Sequence, residues 1–207
     1  MLLRGIYAIT SDDLLAQQNY LDRIKQALDA GIALLQYRSK AQTTEVQQQQ
    51  ASRIRSCCEE YGVPLILNDD VALYHAAAAA GVHLGQQDQS VSQAREMLPQ
   101  AIIGVSCHDS VELAVTAANN GASYVAFGRF FASRSKPQAP PAQLATLAAA
   151  RSRLELPIVA IGGINPENGA SLIAAGADML AAIDSIFGSE NTYDSTRRLV
   201  GLFEQQQ

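Results

Sequence analysis

The chain has 207 residues and a mass of 22.1 kDa, a length that suits one medium-sized domain. Hydrophobic residues make up 48% and charged residues 17%, which excludes general disorder and allows a large buried core. The 15 Lys and Arg are outnumbered by 20 Asp and Glu, so the chain carries a net charge of −5. A nucleic acid is therefore not expected as its main partner.

The sequence also argues against export and against a membrane location. Apolar runs stay well short of the ~18 residues that a membrane helix needs, and the first residues do not form a signal peptide. The cysteines Cys57, Cys58 and Cys107 are odd in number and contain no CxxC pair, so neither a disulfide framework nor a zinc site is expected. We expect a cytoplasmic enzyme that forms one domain over residues 1–207.

Short apolar, β-branched runs alternate with Ala- and Leu-rich helical stretches along the whole chain. The predicted strands are 5–10, 32–37, 64–68, 82–85, 102–106, 124–127, 157–162 and 179–183. The predicted helices are 20–30, 43–61, 73–80, 90–98, 110–120, 143–153 and 193–204. Eight strand–helix units of about 26 residues predict an α/β fold, a single (β/α)8 TIM barrel with its active site at the carboxyl ends of the strands.

Glycines support this division. Gly31, Gly81, Gly121 and Gly176 each follow a helical stretch and precede an apolar run. Glycine adopts the left-handed conformation that ends many helices at little cost. The alternative is a doubly wound open sheet, which often has a glycine-rich turn after its first strand. The turn after residue 9 has no glycine, so the barrel is favoured.

The end of the second strand carries cationic and amide side chains. It is Gln36-Tyr37-Arg38-Ser39-Lys40, and the alternation of an extended chain turns Gln36 and Arg38 toward the barrel mouth, with Lys40 close behind. An amide and two cations suit a phosphate or a diphosphate. The alternative is a solvated basic turn.

Acidic side chains follow the third and fourth strands. Asp69 and Asp88 can share one hard cation, since Mg²⁺ often binds one or two carboxylates, water and substrate phosphate. The alternative is that these aspartates cap the following helices. Asp70 fits that role well, whereas Asp88 precedes Ser90, which is a better cap.

The fifth strand ends near Ser106 and His108. Ser106 could hydrogen-bond an anion or a leaving group, and His108 could act in acid–base chemistry. A hydrolase triad is disfavoured because no carboxylate is placed to orient such a pair. His83 is expected to be a buried histidine with its hydrogen bonds satisfied, and Cys107 a small buried hydrophobe.

The loops after the sixth and seventh strands supply further residues expected at the barrel mouth. A long loop after the sixth strand contains Ser133, Arg134, Ser135 and Lys136 and could fold over a phosphorylated ligand, or be a mobile surface loop. After the seventh strand, Gly162-Gly163 could present backbone N–H groups to an anion, or form a plain tight turn. Together the strand ends indicate two anionic substrates, or one large one, with a divalent metal. Such a set suits displacement of a diphosphate leaving group better than hydride transfer.

These motifs resemble the thiamine-phosphate synthase family, also called thiamine-phosphate pyrophosphorylases. The resemblance covers nearly the whole chain and follows the segments 7–10, 36–40, 67–69, 81–88, 104–106, 133–136 and 160–164. It implies a transferase that joins 4-amino-2-methyl-5-hydroxymethylpyrimidine diphosphate to a thiazole phosphate, which in some substrates also carries a carboxylate. The implied products are thiamine phosphate and diphosphate, with CO₂ from the carboxylated substrate.

The resemblance also implies roles for individual residues. The pyrimidine diphosphate would be bound by Gln36, Tyr37, Arg38, Ser39, Lys40, Asn68, Ser106 and Lys136. The thiazole phosphate or its carboxylate would be bound by Ser133, Ser135, Gly163, Ile183 and Asp184, and Arg134 is expected among the substrate-binding residues. The metal ligands for Mg²⁺ would be Asp69 and Asp88. Lys40, Ser106 and Lys136 are the expected catalytic residues, since they contact the departing diphosphate.

The chain departs from the family pattern in the loop after strand six and after strand eight. Arg129 stands where the family commonly has Pro, and Ser133 and Ser135 stand where it has Thr. Asp184 replaces a frequent Ser, and a carboxylate there would repel a phosphate unless it turns away. The role of the Asp184 side chain is therefore open.

Two other functions remain open from the sequence. A thiazole tautomerase on the same barrel would use a histidine, with His108 the candidate, and would not need the set that binds pyrimidine diphosphate and Mg²⁺. A non-catalytic sensor of thiamine phosphate would not need the acidic pair. The expected partners are small-molecule substrates, with no nucleic acid and no membrane, and the oligomeric state stays open.

Overall fold

The computed structural model describes residues 3–133 and 140–204. Its strands are β1 Gly5–Ile9, β2 Leu34–Tyr37, β3 Leu65–Asn68, β4 Gly81–Leu84, β5 Ile102–His108, β6 Tyr124–Gly128, β7 Ile158–Ile161 and β8 Met179–Ala182. Each strand pairs in parallel with the next, and β8 pairs with β1. This closed barrel confirms the predicted fold and rules out an open sheet.

Helices follow the strands and cover the outside of the barrel. They are α1 Asp12–Leu15, α2 Tyr20–Asp29, α3 Thr44–Glu60, α4 Val71–Ala77, α5 Val91–Met97, α6 Val111–Asn119, α7 Leu144–Arg151, α8 Gly169–Ala174, α9 Asp184–Phe187 and α10 Thr192–Glu204. The sequence did not predict α1, α8 and α9, which are too short to show a helical period. Within the described ranges, no helix is long and apolar enough to cross a membrane.

The alternation of side chains along each strand divides the core into two layers. Tyr7, Leu34 and Tyr124 belong to a cluster inside the barrel, whereas Ile6, Leu35 and Val125 pack outward in the layer under the helices. Because both faces of every strand are covered, the strands read as nearly continuous apolar runs. The polar positions that interrupt these runs toward the carboxyl ends therefore mark the barrel mouth.

The ends of the helices agree with the sequence at most positions. The side chain of Asp70 caps α4, and Ser90 forms a capping box at the start of α5. The glycines at 31, 121 and 176 have φ of 95°, 92° and 112°, as expected of residues that follow a helix.

The prediction for Gly81 was wrong, because this residue begins β4 and Ala78 (φ 47°) ends the preceding helix in the left-handed conformation. The reason for a glycine at 81 is the close approach of β5. A Cβ atom there would lie 2.0 Å from the carbonyl oxygen of Ile102.

Two arginines join neighbouring units at the amino end of the barrel. Arg95 donates to the carbonyl oxygen of Gly121, to Ser123 and to carbonyl groups of residues 98, 99 and 101. Arg151 likewise reaches Gly176 and bonds the Asp178 carboxylate. Each guanidinium donates to carbonyl groups in the turns that follow a helix and precede a strand. We infer that they fix the turns from which β5 to β8 begin.

Candidate functional site

A cavity of about 450 Å³ opens at the carboxyl ends of the strands. The sequence-predicted site residues that line it are Gln36, Arg38, Asn68, Ser106, Ser133, Gly163, Ile183 and Asp184. They come from six strands or the loops that follow them, and only the closed barrel brings them together. The size suits a ligand of small-molecule dimensions.

The end of β2 divides between the cavity and the helix layer. As alternation predicts, Gln36 and Arg38 line the cavity. Tyr37 lies on the opposite face, where its hydroxyl donates to Gln50 Oε1 at 2.9 Å and its ring is buried under α3. The Tyr37 side chain therefore points away from the cavity, as period-2 alternation requires, and contact of this residue with a substrate stays a prediction that concerns its backbone. Lys40 is exposed at the rim.

Thr10 and Asp12, which follow β1 and are not among the predicted site residues, hold the loop after β2. Thr10 Oγ1 accepts from the backbone N–H of Arg38 at 2.8 Å. Asp12 Oδ1 accepts from Ser39 Oγ and from the backbone N–H groups of Lys40 and Ala41.

Partial burial opposes ionisation of Asp12, but these hydrogen bonds outweigh it and lower the pKa of the carboxyl group below its usual value of 3.8. The Asp12 carboxylate thus orders the backbone that carries Lys40.

Asp69 and Asp88 approach each other at the rim beside β3 and β4. Withdrawal of the Asp69 carboxyl group from solvent and the neighbouring Asp88 carboxylate raise its pKa. Asp88 Oδ2 accepts from the backbone N–H of Gly85 at 2.6 Å, and a Cβ at Gly85 would lie 2.8 Å from this oxygen. Two carboxylates held together in this way repel each other, and a shared cation would relieve the repulsion.

These donors fit Mg²⁺, which often uses one or two protein carboxylates and takes its other ligands from water and substrate phosphate. The described residues contain no cluster of three or more potential His, Cys, Asp or Glu ligands. Among the described residues, a metal ion held by this pair would therefore take its other ligands from water or substrate.

The loop after β6 packs against the glycine pair after β7. The backbone N–H groups of Phe130 and Phe131 donate to the carbonyl oxygens of Ile161 and Gly162. A Cβ at Gly163, whose φ is 61°, would lie 2.2 Å from the carbonyl oxygen of Ala132. Close approach of the two loops is thus sufficient reason for glycine at this position. Ser133 lines the cavity, whereas Arg134, Ser135 and Lys136 lie outside the described residues.

The segment after β8 turns into the short helix α9. Ile183 and Asp184 line the cavity, and Asp184 is the first residue of α9 and is exposed. A carboxylate is favoured in the first turn of a helix, which accounts for an aspartate here without a ligand. Ser185 Oγ donates to the carbonyl oxygen of Ile164 at 2.6 Å, and the buried Arg23 donates to that of Phe187. These contacts position α9 against the loop after β7.

A chain of hydrogen bonds crosses the floor of the cavity. Gln36 Nε2 donates to Tyr7 Oη at 2.7 Å, and Tyr7 Oη lies 2.8 Å from Tyr124 Oη. Tyr124 Oη lies 3.0 Å from His83 Nδ1, and His83 Nε2 lies 2.9 Å from Ser106 Oγ. His83 is thus buried and hydrogen-bonded, as expected. Tyr7 and Tyr124 were not predicted as site residues, although their strand positions share the inward face with Ile9 and Ala126.

His108, Cys107 and His75 differ in their exposure and in their position relative to the cavity. His108 lines the cavity, is exposed and has a φ of 53°. Cys107 is fully buried in the outer layer, and burial raises the pKa of its thiol to about 12, which makes it a poor nucleophile. His75 is exposed on α4. Among these residues, only His108 is placed to meet a ligand.

Comparison with known proteins identifies close relatives. The family model described as thiamine monophosphate synthase matches residues 6–186. A thiamine-phosphate synthase from Saccharophagus degradans is 49% identical over 199 residues, covering 95% of this chain and 92% of the relative. A solved thiamine phosphate pyrophosphorylase from Pyrococcus furiosus superposes with a TM-score of 0.88 at 30% identity, covering 97% of this chain and 96% of that one.

More distant structures share the fold alone. The (S)-3-O-geranylgeranylglyceryl phosphate synthase from Thermoplasma acidophilum superposes with a TM-score of 0.70 at 15% identity, covering 98% of this chain and 94% of that one. At that identity the likeness reports the barrel and not the chemistry.

Proposed function

The chain belongs to the thiamine monophosphate synthase family, and we propose that its transferase reaction takes place in the cavity at the carboxyl ends of the strands. The reaction joins an aminopyrimidine diphosphate to a thiazole phosphate and releases diphosphate. The observation that carries this proposal is the convergence of Gln36, Arg38, Asn68, Ser106 and Gly163 on one space with an acidic pair at its rim. Each of these residues belongs to a motif on which the family resemblance rests.

The chemistry needs no nucleophile from the protein. The bond between the pyrimidine methylene carbon and the diphosphate oxygen breaks, and the aminopyrimidine ring stabilises the positive carbon. The thiazole nitrogen then supplies the electron pair for the new carbon–nitrogen bond. The protein contributes by holding both substrates in line and by keeping water away from the cation.

The side chains of this chain act on the diphosphate and on the orientation of the substrates. Arg38 and Lys40 would neutralise the charge that grows on the departing diphosphate, and Ser106 Oγ would hydrogen-bond it. Asp69 and Asp88 would hold Mg²⁺, which, when bound, supplies positive charge to the same phosphate oxygens. Lys136 is proposed to assist from the loop after β6, on the strength of the resemblance.

The thiazole phosphate is proposed to bind on the opposite side of the cavity. Ser133, Gly163 and the start of α9 line that side, and backbone N–H groups there would contact the phosphate. Ser135 is assigned to the same substrate by resemblance, and Arg134, from the same loop, is proposed as a substrate-binding residue. The exposed Asp184 would contact the ligand through its backbone, since its carboxylate would repel a phosphate.

Substitution of Asp88 tests the metal site. Asp88→Ala should lower turnover about 100-fold at limiting Mg²⁺, and raised Mg²⁺ should restore part of it, because one carboxylate ligand remains. Steady-state rates across a Mg²⁺ titration measure the effect, and thermal melting checks the fold. Gln87→Ala, at the exposed neighbouring position, is the matched control and should behave like the parent. Equal rates for Asp88→Ala and parent at limiting Mg²⁺ would remove Asp88 from the metal site.

A further inference from the structure

A series of hydrogen bonds runs beneath the cavity from Gln36 through Tyr7, Tyr124 and His83 to Ser106. Counting the protons on these groups shows which member of each pair donates. Burial raises the pKa of both Tyr7 and Tyr124 well above the usual phenol value, so each remains neutral and carries one proton. Within the described part of the chain, the partners of Tyr7 Oη are Gln36 and Tyr124. Since Gln36 donates through Nε2, the Tyr7 proton has Tyr124 Oη as its acceptor.

The positions of the protons on Tyr124, His83 and Ser106 follow from the position of the Tyr7 proton. Tyr124 accepts from Tyr7 and therefore directs its own proton to His83 Nδ1. A neutral His83 that accepts at Nδ1 carries its proton on Nε2, where it donates to Ser106 Oγ. The hydroxyl proton of Ser106 is then left to point into the cavity. In the reversed direction, or with a doubly protonated ring, Tyr124 would donate to Tyr7, and the proton of Tyr7 would have no acceptor among the described residues.

Tyr124, the central residue of this hydrogen-bonded series, occupies a space that a glycine on β5 leaves free. A Cβ at Gly104 would lie 1.9 Å from Cζ of Tyr124 and 2.2 Å from its hydroxyl oxygen. The absence of a side chain at Gly104, on β5, is therefore what admits the ring. Tyr124 also packs edge-on against Tyr7, with ring centroids 5.8 Å apart, and stacks on His83 at 5.6 Å.

We propose that Tyr7, Tyr124 and His83 are positioning residues that fix the Ser106 hydroxyl as a hydrogen-bond donor into the cavity. This inference rests on the proposed function, in which the anionic leaving group accepts the hydrogen bond that the Ser106 hydroxyl donates. The amide of Gln36 sets the direction of the hydrogen bonds that run from Tyr7 to Ser106. This direction decides whether Ser106 presents a proton or a lone pair to the substrate. A presented proton stabilises growing negative charge, whereas a presented lone pair opposes it.

The tautomer of His83 tests the direction without any measurement of activity. The chain has three histidines, so nitrogen-15 NMR of the labelled protein gives three imidazole patterns, and His83→Gln assigns the one from His83. The expected result is a neutral ring protonated at Nε2. Tyr124→Phe, which removes only the hydroxyl oxygen, should weaken this preference. A ring protonated at Nδ1 in the parent protein would overturn the inference.

A double-mutant cycle tests the link to Ser106. Tyr124→Phe should lower kcat about tenfold, as expected for one hydrogen bond, with little change in the KM for the thiazole substrate. In a Ser106→Ala background the same substitution should have no further effect, because the hydroxyl it acts through is gone. Additive effects would mean that Tyr124 acts by another route and would contradict the positioning role.

Controls separate this inference from the proposed function. Met179→Leu alters the packing of the same inner cluster without touching a polar member and should leave the kinetics unchanged. Tyr7→Phe replaces Tyr124→Phe if the latter does not fold, and should give the same loss of kcat. Full activity of Ser106→Ala would remove Ser106 from the proposed reaction, whereas the tautomer measurement would still decide the direction of the chain.

Discussion

The carboxylate of Asp12 shows how a residue outside the family motifs can organise one of them. It accepts hydrogen bonds from residues 39, 40 and 41, so the loop that carries Lys40 has its backbone ordered from the end of β1. Lys40 could be predicted from its charge and position, whereas Asp12 could not. An acidic residue beside a predicted basic cluster has many possible partners, and only the register of β1 with β2 selects this one.

Removal of this carboxylate should destabilise the protein in a pH-dependent way. We expect Asp12→Ala to lower the free energy of unfolding by about 1 kcal/mol near neutral pH. Because the folded-state pKa of Asp12 lies below 3.8, its contribution is complete above that value and is lost as the pH falls through the lowered pKa. The difference between variant and parent should therefore shrink in acid.

Urea unfolding at about pH 6 and about pH 3 measures that difference. Asp13→Ala removes the exposed carboxylate next along the chain and serves as the control, with no comparable change expected. A destabilisation of equal size at both pH values would show that the ionised carboxylate is not what holds the loop.

At the scale of strands and helices, periodicity predicted the longer elements and their order. The predicted strands match β1 to β8 to within a few residues, because runs buried on both faces are continuous in the sequence. Three short helices and the left-handed Ala78 were not predicted. Such features depend on hydrogen bonds to distant residues or on backbone geometry, and a short segment carries too few positions to show them.

Arg95 is expected to be the residue through which α5 and the turn before β6 stabilise each other. Arg95→Lys should cost about 2 kcal/mol of unfolding free energy, because an ammonium group cannot reach the carbonyl groups that the guanidinium bridges. The substitution lies away from the cavity, so kcat of the folded variant should stay that of the parent.

Chemical denaturation and steady-state rates measure these two effects. Arg55→Lys changes an exposed ion pair with Glu59 and should remain within about 0.5 kcal/mol of the parent. A similar cost at both positions would show that the bridged carbonyl groups add nothing beyond a surface charge.

For the molecule as a whole, the barrel and the convergence of its strand ends could be predicted, whereas the connections within the site could not. Alternation placed Gln36 and Arg38 toward the mouth and, applied to Tyr37, should have turned that residue away. The chain from Tyr7 through Tyr124 to Ser106 joins β1, β6, β4 and β5, so it exists only in the closed barrel. No local pattern in a single sequence encodes such a path.

The most direct test of the account is a coupling assay on the purified protein. The protein is mixed with the pyrimidine diphosphate, the carboxylated thiazole phosphate and Mg²⁺, with a chelator in the control, and the products are followed by mass spectrometry. The account predicts that thiamine phosphate and diphosphate form together and only when Mg²⁺ is present. An isomerised thiazole phosphate without any coupled product, or coupling that persists with the chelator, would contradict it.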